Sequence, residues 1–339
     1  MKSKYLFLIL LCLCGSVSLF ASEKVPGGDI AFRLTDPDLL LSAGSSAGGG
    51  FFTSGPTSII INPALPAGDQ RIVLNLGYTT LMKDEEKFSF GSGMNLGLLI
   101  PSRYGVFSSL ISGLFCNVGE LQFNNILQLQ GSFSKDISER LYVGMGLDTG
   151  IRWGAGVDWA LGLNIGAVYK WGTLGFLEDT RFAFALTGLG KPYVWGMPSI
   201  VTPKVGIAGT LFTVAEGKLS GAFSSDISFP QFTNIVLDIG FQLRIIDMVY
   251  IKSAWQFDLR ETFAENYNLI PAIGLTVKFG IDTKDNNFFA DKGWEKSEMS
   301  TSGAWQNLYD GVQAVSVGAS INLGLRDTEA PEIILWGEK

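Results

Sequence analysis

Ten charged residues recur at positions that extended strands would turn to one face: Asp148, Arg152, Asp158, Asp226, Asp238, Arg244, Lys252, Asp258, Arg260 and Lys278. A carboxylate beside a cation can serve as an acid–base pair. The chain has no histidine, which removes His-based triads, His-ligated metals and histidine pH switches. Of its three cysteines, Cys12 and Cys14 lie in the N-terminal apolar run, and Cys116 alone remains. An intramolecular disulfide is therefore not expected in the mature chain. No enzyme signature accompanies the charges. The simpler reading is a polar interior whose ion pairs tie facing walls together, with no catalysis, cofactor or metal.

Strands must place these charges. In residues 141–153, Leu141, Val143, Met145, Leu147, Ile151 and Trp153 share a face, opposite Tyr142, Gly144, Gly146, Asp148, Gly150 and Arg152. Residues 157–171, 235–244, 249–260, 273–280 and 315–324 repeat this alternation. A helix would not space Asp158, Asn164 and Lys170 so regularly among apolar neighbours. Strands are expected near 70–82, 87–100, 103–117, 122–134, 139–153, 157–171, 181–188, 203–213, 217–228, 233–245, 247–260, 269–281, 284–294 and 312–325. That makes about fourteen; 181–188 and 284–294 alternate poorly, and twelve is the alternative.

The polar faces carry Gly, Ser and Asn with scattered charge, where a soluble β-protein would carry Lys and Glu. Aromatics cluster near segment ends (Tyr78, Tyr104, Trp153, Trp159, Tyr169, Trp171 and Trp255), as interfacial girdles do. The fold class is therefore all-β: a transmembrane antiparallel β-barrel. An even strand number puts both ends of the wall in the periplasm. Pro101-Ser102-Arg103 and Ile246-Asp247 read as short periplasmic turns. Segments 188–202, 260–268 and 295–311 read as longer outer loops. Tyr193, Val194, Trp195 and Met197 in the first, with Phe263 in the second, offer an apolar docking surface.

Composition agrees. The chain is 47% hydrophobic and only 17% charged, with 42 glycines. After residue 21 no apolar run approaches the roughly 20 residues of a membrane helix. A net charge of −7 argues against a nucleic-acid partner. Lys2 and Lys4, the apolar run Tyr5–Cys14, and the small residues Gly15, Ser16, Ser18 and Ala21 form a signal peptide cut after Ala21. The rival, a lipoprotein signal lipidated at Cys14, would need a small residue where Leu13 stands. Export to the outer membrane follows. The organisation is 1–21 signal, 22–69 N-terminal segment, 70–325 barrel and 326–339 periplasmic tail.

Residues 22–69 do not alternate. They hold the Gly-rich Ser42–Gly50 and then Asn62-Pro63-Ala64-Leu65. Disorder suits Phe51-Phe52 and Ile59–Ile61 poorly, so a plug within the barrel is favoured. Pro63 fixes its own φ and holds Asn62 out of the helical region, and Asn62 can close a turn.

A small-residue stretch followed by Asn-Pro-Ala just before the first strand resembles the FadL-type long-chain fatty acid transporters of outer membranes. The resemblance covers the whole chain in architecture and is specific over Ser42–Gly50 and Asn62–Leu65. It implies a fourteen-stranded barrel with an N-terminal plug. It also implies a hydrophobic ligand that enters from outside and leaves through the wall at an irregular third strand. Here Ser108-Ser109 and Ser112-Gly113 break the alternation of that strand, and Ser112 and Gly113 are its candidate gate. A fatty acid's carboxylate would want a cation, and Arg244, Lys252, Arg260 and Lys278 are candidates, with structural ion pairing as their plainer role. The partners expected are outer-membrane lipid, a hydrophobic ligand such as a long-chain fatty acid, and the barrel-assembly machinery, with the chain a monomer. The alternative function is a non-conducting barrel that binds other envelope proteins. An open aqueous porin is disfavoured, because a plug would block water.

Overall fold

Period-two alternation gives each strand a greasy face and a polar face, and curling the sheet until its edges meet sends them to opposite sides. The computed structural model describes residues 28–42, 44–83, 89–119, 121–154, 156–193, 201–264, 270–282 and 296–324. The wall begins with β1 (Ile72–Lys83), β2 (Ser89–Ser102), β3 (Gly105–Val118), β4 (Leu121–Ser138) and β5 (Leu141–Trp153). It continues through β6 (Asp158–Leu174), β7 (Leu177–Lys191), β8 (Thr202–Val214), β9 (Leu219–Ser228) and β10 (Val236–Ile245). It finishes with β11 (Val249–Asp258), β12 (Ala272–Asp282), β13 (Lys296–Asn307) and β14 (Gln313–Leu323). Each strand pairs antiparallel with the next. β14 returns to β1, from Ile72↔Leu323 to Met82↔Gln313, so the fourteen-strand barrel is closed and has no free edge.

The outward face is a continuous apolar belt that includes Leu76, Leu129, Met145, Leu147, Ile251 and Val317, all exposed. Water would not tolerate so large an apolar surface, and lipid would. Aromatics mark both rims. Tyr169, Trp171 and Phe182 meet edge-on at the end where the wall begins and stops. Trp153 meets Phe115 at the other end. This is the architecture of an outer-membrane barrel. Short connections after β2, β4, β6, β8 and β10 all fall at the first of these ends, which the even strand count makes periplasmic. Ile246 and Asp247 turn there with φ of 53° and 54°, the left-handed pair that a tight hairpin requires.

Three expectations about the wall change. Residues 295–311 are not an outer loop: β13 occupies Lys296–Asn307, paired on both sides with β12 and β14. Its alternation is faint because the outward set, Met299, Thr301, Gly303 and Trp305, is only half apolar. Pairing from two neighbours defines it instead. The weak segment 284–294 lies outside the described residues, as do residues 1–21 and 326–339, the expected signal segment and tail. β7 is longer than 181–188, because a register shift between Glu178 and Arg181 hides its start. In the expected loop 260–268, α2 (Leu259–Phe263) forms one turn, capped by the Asp258 carboxylate accepting from the Glu261 backbone N–H.

The N-terminal segment fills the barrel. It runs through a 3-10 stretch Gly28–Thr35, helix α1 (Pro37–Leu41) and 3-10 turns at Pro56–Ile60 and Leu65–Gly68. Pro37, Pro56 and Pro66 each open a turn. The Gly-rich run between them disfavours longer helix. Ala31, Leu34, Ala47, Asn62 and Ala64 are all essentially inaccessible. This is a plug.

Candidate functional site

Asn62 is the joint of the plug. Its Nδ2 donates to the Ser46 carbonyl at 2.9 Å, and its Oδ1 accepts from the Ala64 N–H at 2.9 Å. One side chain thus joins the Gly-rich loop to the turn that leads into β1. The wall leaves room for it. A Cβ at Gly166 would collide with the Asn62 side chain, and one at Gly144 with the Pro63 carbonyl. Both glycines face the lumen, so strands β5 and β6 form a smooth seat under Asn62-Pro63. Asn62→Ala loses the two main bonds and strands the buried Ser46 carbonyl, at a cost of about 1–3 kcal/mol. We expect faster proteolysis of the plug and reduced ligand uptake, with an intact heat-resistant barrel. Unchanged plug protection would remove Asn62 from plug docking.

The strongest ties run to strands β7–β13. Arg33 forms a bidentate pair with Asp238 at 3.0 Å. Asp38 on α1 accepts from Lys252 at 2.6 Å, with Thr276 and Ser302 donating at 3.2–3.3 Å. Asp226 accepts from the Ser46 backbone N–H at 2.7 Å and from its hydroxyl. Lys204 donates to the Gly44 carbonyl at 2.9 Å. Arg181 donates to the carbonyls of Ala47, Gly49 and Gly50. β2 adds Asn95, donating to the Thr35 carbonyl at 2.8 Å. Burial, and then the charge of Asp38, pushes the Asp36 carboxyl up to about 6. Burial would also raise Asp38, but the charge and hydrogen bond of Lys252, with the Ser302 hydroxyl and the Lys278 charge, together outweigh it and hold that carboxyl below its ordinary range. Facing β3 and β4 the plug has no comparable charged ties among the described residues, and the buried hydroxyls of Ser108, Ser112 and Ser132 have no partner.

The plug divides the lumen. Above it, toward the end away from the wall's termini, the interior is apolar. Leu81, Leu114, Val118, Leu121, Phe123 and Ile126 pack on Phe32 and Leu34 of the plug, with Leu308 and Val312 beside them. This departs from the polar lumen that alternation implies. A register shift at Cys116/Asn117, with Asn124 at φ 61°, lets apolar side chains of β3 and β4 crowd the inner face. A narrow cavity of about 90 Å³ lies between Phe32, Ile60 and Ile61 of the plug and the polar side chains Gln130, Asp148 and Asn164. Below the plug is a wider, polar vestibule of about 560 Å³. Outside, a third cavity of about 570 Å³ opens on the lipid-facing side, between Ile100, Phe107, Phe133, Met145, Leu147 and Leu163. At its floor are Ser109 and Gly131, and the nearest atom to a Cβ placed on Gly131 is the Ser108 carbonyl oxygen at 4.0 Å.

The residues expected to act together are separated. Arg244, Lys252 and Lys278 line the lower vestibule. Lys252 is engaged by Asp38 and Arg244 by Asp247 at 3.1 Å. Arg260 lies at the opposite end of the barrel, paired with Glu261 at 3.0 Å. Ser112 turns inward and Gly113 outward, and the ladders from β3 to β2 and to β4 run unbroken through both. The irregularity of the third strand lies at Cys116/Asn117 instead. Tyr193 does not lie on the outer surface: it is 1% exposed and packs into the apolar cluster of the outer lumen. Its companions Val194, Trp195 and Met197 lie outside the described residues. Phe263 is 84% exposed at the outer end.

Sequence reading missed Arg33, Arg181 and Lys204, the plug's cationic anchors, and the cleft around Gly131. Arg181 and Lys204 could have been found as luminal cations once β7 and β8 were placed in phase. Nothing local marked Arg33 or Gly131.

No family model and no curated protein matches this sequence. Solved structures do match in shape. The deltaS2S3 mutant of the TodX monoaromatic hydrocarbon channel aligns with a TM-score of 0.51 and 10% identity, over 84% of this chain and 98% of that one. The deltaS2 mutant of TodX, a protein of Pseudomonas putida, aligns at 0.50 and 10%, over 84% and 100%. The Ralstonia pickettii toluene transporter TbuX aligns at 0.48 and 11%, over 84% and 99%. At these identities the likeness is one of fold. It agrees with the architecture expected from the FadL-type resemblance.

Proposed function

We propose that this chain carries hydrophobic small molecules, long-chain fatty acids or compounds of similar character, across the outer membrane by passive diffusion. The observation that carries this reading is the apolar upper lumen. A water-filled pore needs a polar constriction, whereas Leu81, Leu114, Phe123 and Ile126, buried against Phe32 and Leu34, close the upper lumen with an apolar constriction that disfavours water and favours an apolar molecule. Exposed Phe263 at the outer end gives such a molecule a first contact. The plug stands between this apolar region and the periplasm, so the ligand leaves sideways, through the wall sector of β3–β5. The lipid-facing cleft at Ser109 and Gly131 lies on that sector, opposite the inward Ser108 and Ser132. Ser112 and Gly113 are one to two turns of the pleat higher and form the upper part of the same route. The fold shared with a monoaromatic hydrocarbon channel supports the reading. The chain reaches its membrane through its signal peptide and the barrel-assembly machinery, and works as a monomer.

The second reading is a closed scaffold that binds other envelope proteins. The buried pairs Arg33–Asp238 and Asp38–Lys252 favour it, because they hold the plug in place. Uptake in proteoliposomes separates the two. With the mature chain reconstituted, a long-chain fatty acid should enter and a small sugar should not. Entry of both would mean an open pore. Entry of neither would leave the scaffold.

A further inference from the structure

The vestibule below the plug concentrates positive charge in a chain of net charge −7. Arg71, Lys170, Arg181, Arg244, Lys252 and Lys278 line it, against three carboxylates, Asp38, Asp69 and Asp179. Three of the cations are matched. Arg71 pairs with Asp69 and Glu298 at 2.9 Å, Lys252 with Asp38, and Arg244 with Asp247. Lys170, Arg181 and Lys278 have no carboxylate within 4.0 Å among the described residues. Lys170 rests 4.1 Å from the Tyr142 ring and bonds its hydroxyl. Lys278 rests 4.5 Å from the Tyr250 ring on the far wall. Arg181 spends its hydrogen bonds on neutral carbonyls, those of Ala47, Gly49 and Gly50 in the plug and that of Asp179 on its own strand, and it stands directly opposite Lys170 in the β6–β7 ladder.

We propose that this vestibule binds a phosphate monoester. A phosphate monoester carries about −1.5 to −2 charges and three acceptor oxygens, so it can pair with an unmatched lysine on either wall and accept from neighbouring hydroxyls at the same time. Hydroxyls of Thr213 and Ser300 on the same walls supply neutral donors for the remaining oxygens. The roof is aromatic: Phe51 lies under Arg244 at 4.8 Å and Phe52 under Arg181 at 5.3 Å. The organic part of the ester packs there. A volume of about 560 Å³ suits a molecule of this size. The lining residues sit at the periplasmic ends of their strands, so the ligand arrives from the periplasm, as a soluble ester or as the headgroup of a lipid. The site does not depend on the transport reading, because a barrel that never conducts would bind equally well.

The test uses the full mature chain in an uncharged detergent, with glycerol 3-phosphate and a short-chain phosphatidic acid as probes, followed by calorimetry. Binding of both assigns a soluble phosphate ester. Binding of phosphatidic acid alone assigns a headgroup. Either supports the proposal if Lys170→Gln/Lys278→Gln weakens it by an order of magnitude or more and added salt weakens it further, since charge carries the affinity. Lys191→Gln, at the opposite end of the barrel, should bind as the native chain does. Heat-shifted migration verifies that each variant is a folded barrel. Native chain that binds neither probe at millimolar concentration, or undiminished binding by the double variant, overturns the proposal.

Discussion

A chain lacking residues 28–68 is expected to pass small sugars that the intact chain excludes. The plug is the only described segment inside the wall, and its removal strips the lumen down to the inward faces of fourteen strands. Those faces carry Asn75, Asn95, Asp148, Asn164, Asp226 and Asp238, which water solvates readily. The same deletion leaves the upper apolar patch without Phe32 and Leu34, and some variants could fail to assemble. Arg33→Gln covers that case. It leaves Asp238 buried without its cation, and breaking a buried pair on one side costs about 3–5 kcal/mol. Enough of the plug should then leave its seat to raise sugar permeation well above the native level. Arg33→Gln/Asp238→Asn, which removes both charges, should seal better than the single change. Folded barrels of both the deletion and Arg33→Gln that remain impermeable to sugar would show that the plug is not what closes the pore.

Filling the lipid-facing cleft is the second large effect. Gly131→Phe places a ring over open space, so the wall need not deform to accept it. Fatty acid uptake should fall on the order of tenfold, which a barrier raised by about 1.4 kcal/mol would produce. Sugar exclusion and barrel stability should stay as they are. Gly113→Leu is the companion. Its Cβ would sit 3.1 Å from the Phe115 ring and 3.4 Å from Met94, so that position is already covered. A strong block by Gly131→Phe with a weak one by Gly113→Leu places the exit low on β3 and β4. The reverse places it at Ser112–Gly113. Native uptake in both variants would exclude a lateral exit through this sector.

The two effects depend on different levels of information. The wall was legible because each strand states its own faces: Tyr142, Gly146, Asp148, Gly150 and Arg152 point inward in the structure as their alternation requires. Strand β13 escaped because its outward set mixes Thr and Gly with Met and Trp, and its neighbours, not its own pattern, hold it in the sheet. The N-terminal segment was legible as a plug from its lack of alternation and its apolar Phe51-Phe52 and Ile59–Ile61. Its attachments were not. Arg33 meets Asp238 across 205 residues, and Asp38 meets Lys252 across 214. No local pattern relates side chains so far apart.

By itself, then, the sequence determined a membrane barrel with a plug, and which residues face the lumen, because both follow from the two-residue period and from its interruption. Only the tertiary structure decided that the lumen is apolar above the plug and cationic below it. It also put Arg260 at the other end of the barrel from Arg244, Lys252 and Lys278, and left a cleft on the lipid-facing surface at Gly131. Those properties depend on axial height and on which strands close upon which, and a residue's inward or outward phase carries neither.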